Sequence, residues 1–96
     1  MPIVHIITEQ SRPALASGTR LSIDRRTGEP VLLYPEGVVE LSPTAHAILS
    51  HCNGEVTIGE IIAALAAEFE SDCQPIREDV IDCLSRLRQR NLIVVT

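Results

Sequence analysis

The pattern of apolar and polar positions changes character between Leu41 and Pro43. Before that point the apolar residues alternate or fall in short blocks; after it they recur at helical spacing. Arg20 to Asp24 alternates, with Leu21 and Ile23 on one face, and predicts a half-buried strand. Arg25 to Glu29 is the loop that returns the chain. Val31–Tyr34 and Val38–Leu41 are rich in strand formers and flank a Pro-Glu-Gly turn. Pro35 pre-sets φ for that turn, and Gly37 is free to take a positive φ. The pattern predicts three antiparallel strands ordered by two turns.

A helical half follows without a linker. Ser42 stands where an N-cap belongs and Pro43 at the first helical position, where its missing N–H does no harm. Helix one is expected from Pro43 to about Asn53, with Ala45, Ile48, Leu49 and Cys52 on one stripe and Gly54 closing it. Helix two opens on a capping box, Thr57 and Glu60, and buries Ile58, Ile61, Ile62, Leu65 and Phe69. Helix three is expected from near Pro75 to about Arg90, with Ile76, Val80, Cys83, Leu84 and Leu87 as its core stripe. Leu92 to Val95 suits a short terminal strand. The fold class is α+β and winged-helix-like: a three-stranded antiparallel sheet followed by a three-helix bundle.

The ends of the chain are less regular. Ile3 to Ile7 suits a strand, whereas Pro13, Ser17 and Gly18 interrupt any extension toward the body. Residues 1–12 read as a mobile or pairing N-terminal extension and 13–96 as the folded domain.

Composition narrows the function. The chain has 96 residues, enough for one domain that buries roughly 60–65% of its unfolded surface. Its core is almost wholly aliphatic, since Tyr34 and Phe69 are the only aromatics. That argues against the stacking platforms used for RNA or single-stranded DNA. A net charge of −5 disfavours phosphate neutralisation. All the basic residues are arginines, and they cluster as Arg20, Arg25 and Arg26 and as Arg86, Arg88 and Arg90. Cys52, Cys73 and Cys83 are an odd number without a CxxC spacing. With no signal-peptide pattern and no apolar run of about 20 residues, the reading is a cytoplasmic protein with no membrane segment.

Catalytic and metal chemistry find little support. His46 and His51 are five residues apart, which rotates them about 140° from each other on a helix. No four ligands suggest a zinc site, and neither a metal nor a cofactor is expected. Cys73, ahead of helix three, has no His or Asp placed by sequence to act with it. Glu78 and Asp79 are ordinary first-turn acids, and no glycine-rich phosphate loop is present. The chain reads as no enzyme. A winged helix often reads DNA through helix three, but Glu78, Asp79 and Asp82 stand among its arginines. A DNA-binding regulator is therefore the lesser alternative.

Two features point instead to a peptide. One edge of so small a hairpin is left unpaired, and an open edge accepts an added strand. The edge is Val38 to Leu41, unless Ile3 to Ile7 of this or a second chain covers it. Ile81, with Ser85 and Arg88 following, lies off the core stripe; it reads either as the wall of a groove or as a scattered surface aliphatic. On this reading Val39→Pro removes a backbone donor and weakens peptide binding without unfolding the domain.

An ordered set of segments carries a resemblance. It comprises Pro13-Ala14-Leu15, Gly18-Thr19-Arg20-Leu21, Leu32-Leu33-Tyr34-Pro35-Glu36-Gly37, Leu41-Ser42-Pro43-Thr44-Ala45 and Asn53-Gly54. The sequence resembles the pyrroloquinoline quinone (PQQ) synthesis protein D family, PqqD, from about Pro13 to Leu92. The resemblance implies a non-catalytic peptide chaperone of PQQ biosynthesis, similar to the recognition domains of ribosomally made, modified peptides. It would bind the precursor peptide PqqA and present it to the radical S-adenosylmethionine (SAM) enzyme PqqE. It also implies where the peptide lies: as a strand along Val38, Val39, Glu40 and Leu41, facing Ile81, Leu84, Ser85 and Arg88. Family members often carry Asp where Asn53 stands, and the N-terminal extension lies outside the family pattern. The protein is thus expected as a monomer or as a strand-exchanged homodimer whose formation would compete with peptide.

Overall fold

The computed structural model describes residues 7–96. Strands β2 (Arg20–Ile23), β3 (Pro30–Tyr34) and β4 (Gly37–Glu40) form an antiparallel meander in the order β2-β3-β4. The register puts Leu21, Leu32 and Val39 in one row on the core face, and Arg20, Leu33 and Val38 in the next row on the outer face. Leu32 is fully buried, while Val38 is 57% exposed. Ile23, expected to be half-buried, is 51% exposed at the end of β2.

The turn at Pro35 and Glu36 is tight, but Gly37 does not use its freedom of φ. A Cβ there would lie 3.4 Å from the Tyr34 hydroxyl, in ordinary van der Waals contact, so the turn does not demand glycine at this position.

A strand the sequence did not announce precedes the meander. β1 (Pro13–Leu15) pairs antiparallel with β5 (Ile93–Val95), matching Pro13 to Val95 and Leu15 to Ile93. Pro13 reads as a breaker, yet it opens a two-stranded edge, where a missing N–H is tolerated. Hydrogen bonds extend this pairing at both ends: Arg12 and Thr96 exchange backbone bonds of 2.8 and 3.1 Å, and the Ala16 amide donates to the Leu92 carbonyl.

Helix α1 (Pro43–Leu49) starts as expected, with the Ser42 hydroxyl accepting from the Ala45 amide at 3.1 Å. It ends four residues before Asn53. The amides of His51 and Cys52 bond back to Ile48 and Leu49, three residues earlier, which tightens the chain out of the α-helix. Gly54 is consequently no helix cap. Its φ of +81° turns the chain so that its amide reaches the Pro13 carbonyl at 2.9 Å. The Asn53 carboxamide oxygen holds the same turn by accepting from the amides of Glu55 and Val56.

Helix α2 (Ile58–Glu68) carries the full capping box, and the Thr57 amide holds the Glu60 carboxylate below the usual carboxylate range. Helix α3 (Cys73–Gln89) begins two residues earlier than expected, leaving Pro75 harmlessly in its first turn. Ile48, Ile61, Leu65, Val80 and Leu84 form the centre of the core, together with Leu32 from the sheet.

Both long helices end in a Schellman turn. After α2, Ser71 donates to the Ala66 carbonyl and Glu70 sits at φ 49°; after α3, Leu92 donates to Leu87 and Asn91 sits at φ 60°. An L-residue other than Asn or Gly is strained there by about 1–2 kcal/mol. Glu70→Gly should therefore stabilise the domain by about 0.5–1 kcal/mol in urea unfolding, the unfolded glycine's added entropy removing part of the gain. A loss of stability would show that Glu70 is not strained.

The segment from Ile7 to Arg12 is attached to the body rather than free. The Glu9 carbonyl accepts from Gly59 at 2.8 Å, the Ser11 carbonyl from Ile58 at 2.9 Å, and the Glu9 carboxylate pairs with Arg77 on α3 at 3.2 Å. The expected strand from Ile3 to Ile7 lies, apart from Ile7, outside the described residues. Among the described residues no helix is long and apolar enough to cross a membrane.

Candidate peptide-binding groove

Hydrogen-bond alternation decides which backbone groups of β4 are free. The Leu41 amide donates to the Pro30 carbonyl at 3.0 Å. In an antiparallel ladder, bonded and non-bonded pairs alternate. Val39 and Gly37 therefore bond to Leu32 and Tyr34 across the sheet, following the register. The N–H and C=O groups of Val38 and Glu40 point the other way, toward an edge that no described strand occupies. No described strand occupies the outer edge of β2 either, but the β4 edge borders a concavity.

That concavity is a groove of about 530 Å³ between β4 and α3. Val39, Glu40 and Leu41 form its strand wall; Ser42, Thr44, Ala45 and Ile48 form the floor where the strand enters α1. The helix wall is Asp79, Asp82, Cys83, Arg86, Leu87 and Arg90.

Only half of the expected site comes together in this groove. Val39, Glu40 and Leu41 line it, and Val38 offers its backbone at the edge while its side chain lies on the outer sheet face. The four expected helix residues are not among its lining residues. Leu84 is fully buried in the core, and Ile81 packs half-buried against it. A helix turns about 100° per residue, so Ile81 and Arg88 share the flank of Arg77, with Ser85 farther round. That flank carries the Arg77–Glu9 pair, on the other side of the Val80–Leu84–Leu87 stripe from the groove. Periodicity located the stripe correctly. It did not say which flank the sheet faces, because that depends on how α3 docks. Cys83, expected in the core, sits half-buried at the groove flank instead.

The helix wall is electrically divided. Asp79 and Asp82 stand toward its N-terminal half, and Arg86 and Arg90 toward its C-terminus, where cations suit the helix dipole. Asp82 and Arg86 approach to 3.3 Å, both largely exposed, which contributes little to stability. Burial, reinforced by Asp82 and Asp79, pushes the Cys83 thiol up. Burial, reinforced by Cys83, pushes Cys52 up to about 12. Both are protonated at neutral pH and neither is poised as a nucleophile. Cys73 is exposed at the start of α3. Among the described residues no three His, Cys, Asp or Glu side chains gather where they would hold a metal ion. The groove is equipped to pair a backbone, cover aliphatic side chains and sort charge.

Comparison with known proteins gives one family. The family model of coenzyme PQQ synthesis protein D (PqqD) matches residues 29–93. A relative from Xanthomonas axonopodis pv. citri, named PqqA binding protein, is 42% identical over 87 residues, covering 91% of this chain and 95% of its own. Among solved structures, the PqqD truncation of Methylobacterium extorquens PqqCD, described as a stand-alone recognition element for ribosomally synthesised and modified peptides, is 30% identical. It superposes with a TM-score of 0.75 over 85% of this chain and 87% of its own. The crystal structure of PqqD from Xanthomonas campestris is 40% identical, with a TM-score of 0.57 over 91% of this chain and 97% of its own. With most of its length matched by the family model and by these relatives, and with the α+β winged-helix-like fold in place, the chain belongs to the PqqD family.

Proposed function

We propose that this protein is a non-catalytic peptide chaperone that binds the precursor peptide PqqA along β4 and presents it to the radical SAM enzyme PqqE in the cytoplasm. The observation that carries the reading is the edge at Val38 and Glu40, which no described strand occupies, directly beside a groove. Backbone pairing there supplies affinity without demanding a particular sequence, and the groove supplies selectivity. The strand side of the site is Val38, Val39, Glu40 and Leu41. The helix side is Asp82, Cys83 and Arg86 with Arg90, in place of Ile81, Leu84, Ser85 and Arg88. Acidic residues of the peptide belong at the Arg86–Arg90 end. Holding peptide and enzyme together raises the local concentration of substrate. The name of the Xanthomonas axonopodis relative and the description of the Methylobacterium extorquens structure support the peptide as ligand.

The DNA-binding alternative is less well supported, since the exposed flank of α3 mixes Asp79 and Asp82 with its arginines and the whole chain carries −5. The test is a titration of isotope-labelled protein with PqqA, read by NMR. Amide shifts should gather at Val38–Leu41 and from Asp82 to Arg90. A folded protein that shows no shifts with PqqA, yet binds duplex DNA with a steep salt dependence, would overturn the chaperone reading.

A further inference from the structure

The groove does not end at Asp79. A second concavity, about 160 Å³, opens from it where α1, the end of α2 and the start of α3 meet. The two share Thr44, Ile48 and Asp79. Beyond them the second pocket is mostly apolar, walled by Leu65, Phe69, Ile76 and Val80 with Ser71.

Three observations bear on what it holds. Its volume suits one side chain, since a cavity of about 150 Å³ lined by Leu, Ile and Phe accepts a benzene-sized ring. Phe69 is the chain's sole phenylalanine and is 51% exposed. The periodicity of α2 sends it to the core, but the helix ends at Glu68 and Phe69 becomes its cap. There its backbone is held, the amide bonded to Leu65 at 2.9 Å and the chain turned behind it by the Schellman turn at Glu70 and Ser71. A half-exposed aromatic at the rim of an apolar pocket offers apolar area that an entering side chain would cover, and such filled pockets carry much of the energy of an interface. Finally, Asp79 stands at the junction and opposes a carboxylate entering from the groove.

We propose that this pocket receives one large apolar side chain of the peptide bound along β4, and that this anchor fixes the register of the added strand. Backbone pairing alone leaves an added strand free to slip, because every residue offers the same groups. An apolar anchor at the Asp79 end and acidic residues at the Arg86–Arg90 end give the peptide one position and one direction. The proposal rests on the peptide reading above and specifies what that reading leaves open.

The test uses PqqA and two variants of the full chain at exposed positions that line only the second pocket. Phe69→Ala removes the rim, and Ser71→Phe fills the space. Each should weaken PqqA binding by about tenfold or more while leaving the shifts at Val38–Leu41 in place. An alanine scan of PqqA should find one apolar residue whose loss weakens wild-type binding as much, and whose loss adds nothing in Phe69→Ala. Wild-type affinity in both variants, with β4 still responding, overturns the anchor and leaves the groove reading intact. If the wild-type protein itself does not bind PqqA, the peptide reading falls and the anchor with it. Should Phe69→Ala lose its fold, Ser71→Phe decides alone.

Discussion

Val38→Pro should leave the domain folded and weaken PqqA binding by about tenfold, whereas Val39→Pro should unfold the hairpin. The two positions are neighbours with opposite backbone duties. Val38 directs its N–H to the open edge, and its side chain lies on the outer sheet face, away from the groove. Proline there costs no bond within the fold, as on other exposed edges. It does remove one bond to an incoming strand and puts a ring in its path. One lost bond with its partner left unsatisfied is worth about 1–3 kcal/mol, and about 1.4 kcal/mol is tenfold in affinity. Val39 faces the other way and pairs with Leu32, which is fully buried. Proline at Val39 strands the Leu32 carbonyl without a donor and disrupts β4 from within, against the expectation from sequence that this variant stays folded. Circular dichroism separates the variants before any binding is measured. Equal affinity of folded Val38→Pro and wild type would remove the added-strand geometry.

Leu84→Ala should strongly destabilise the fold rather than blunt a binding surface. Leu84 has no exposed area and lies at the centre of the core among residues from all three helices. Truncating such a leucine costs about 2–5 kcal/mol. Domains of this kind have roughly 5–15 kcal/mol in all, so much of the stability goes with one side chain. Urea unfolding should show a large fall in midpoint with an unchanged slope. At a concentration of urea where wild type remains folded, peptide binding should vanish with the fold. A Leu84→Ala protein of normal stability and poor affinity would instead put that residue on the binding face.

Local signals in the sequence were legible, and those that depend on distant partners were not. The Ser42–Pro43 start of α1 and the Thr57–Glu60 box of α2 involve residues within three positions of each other, and both formed as read. The β3–β4 hairpin is likewise local, and its register follows from its two-residue turn. β1 escaped notice because its partner is β5, at the far end of the chain, and because Pro13 is unfavourable everywhere except at such an edge. Phe69 was misassigned because a periodicity does not announce where its helix stops. The groove was half legible for a related reason. An open edge can be inferred from a hairpin alone, but the facing wall is set by the rotation of α3, which the core stripe leaves undecided between two flanks.

The pairing of β1 with β5 has a kinetic consequence. The meander and the α2–α3 pair close short loops and form early, whereas β1 must wait for a partner some eighty positions away. Leu92 and Ile93 belong to the core. Closure of the core at Leu92 and Ile93 is therefore a late step of folding, after the local hairpin and helix pair. Pairing of β1 with β5 is thus the step expected to complete the fold, and loss of Ile93 to Val95 should leave β1 unpaired while the β3–β4 hairpin still forms.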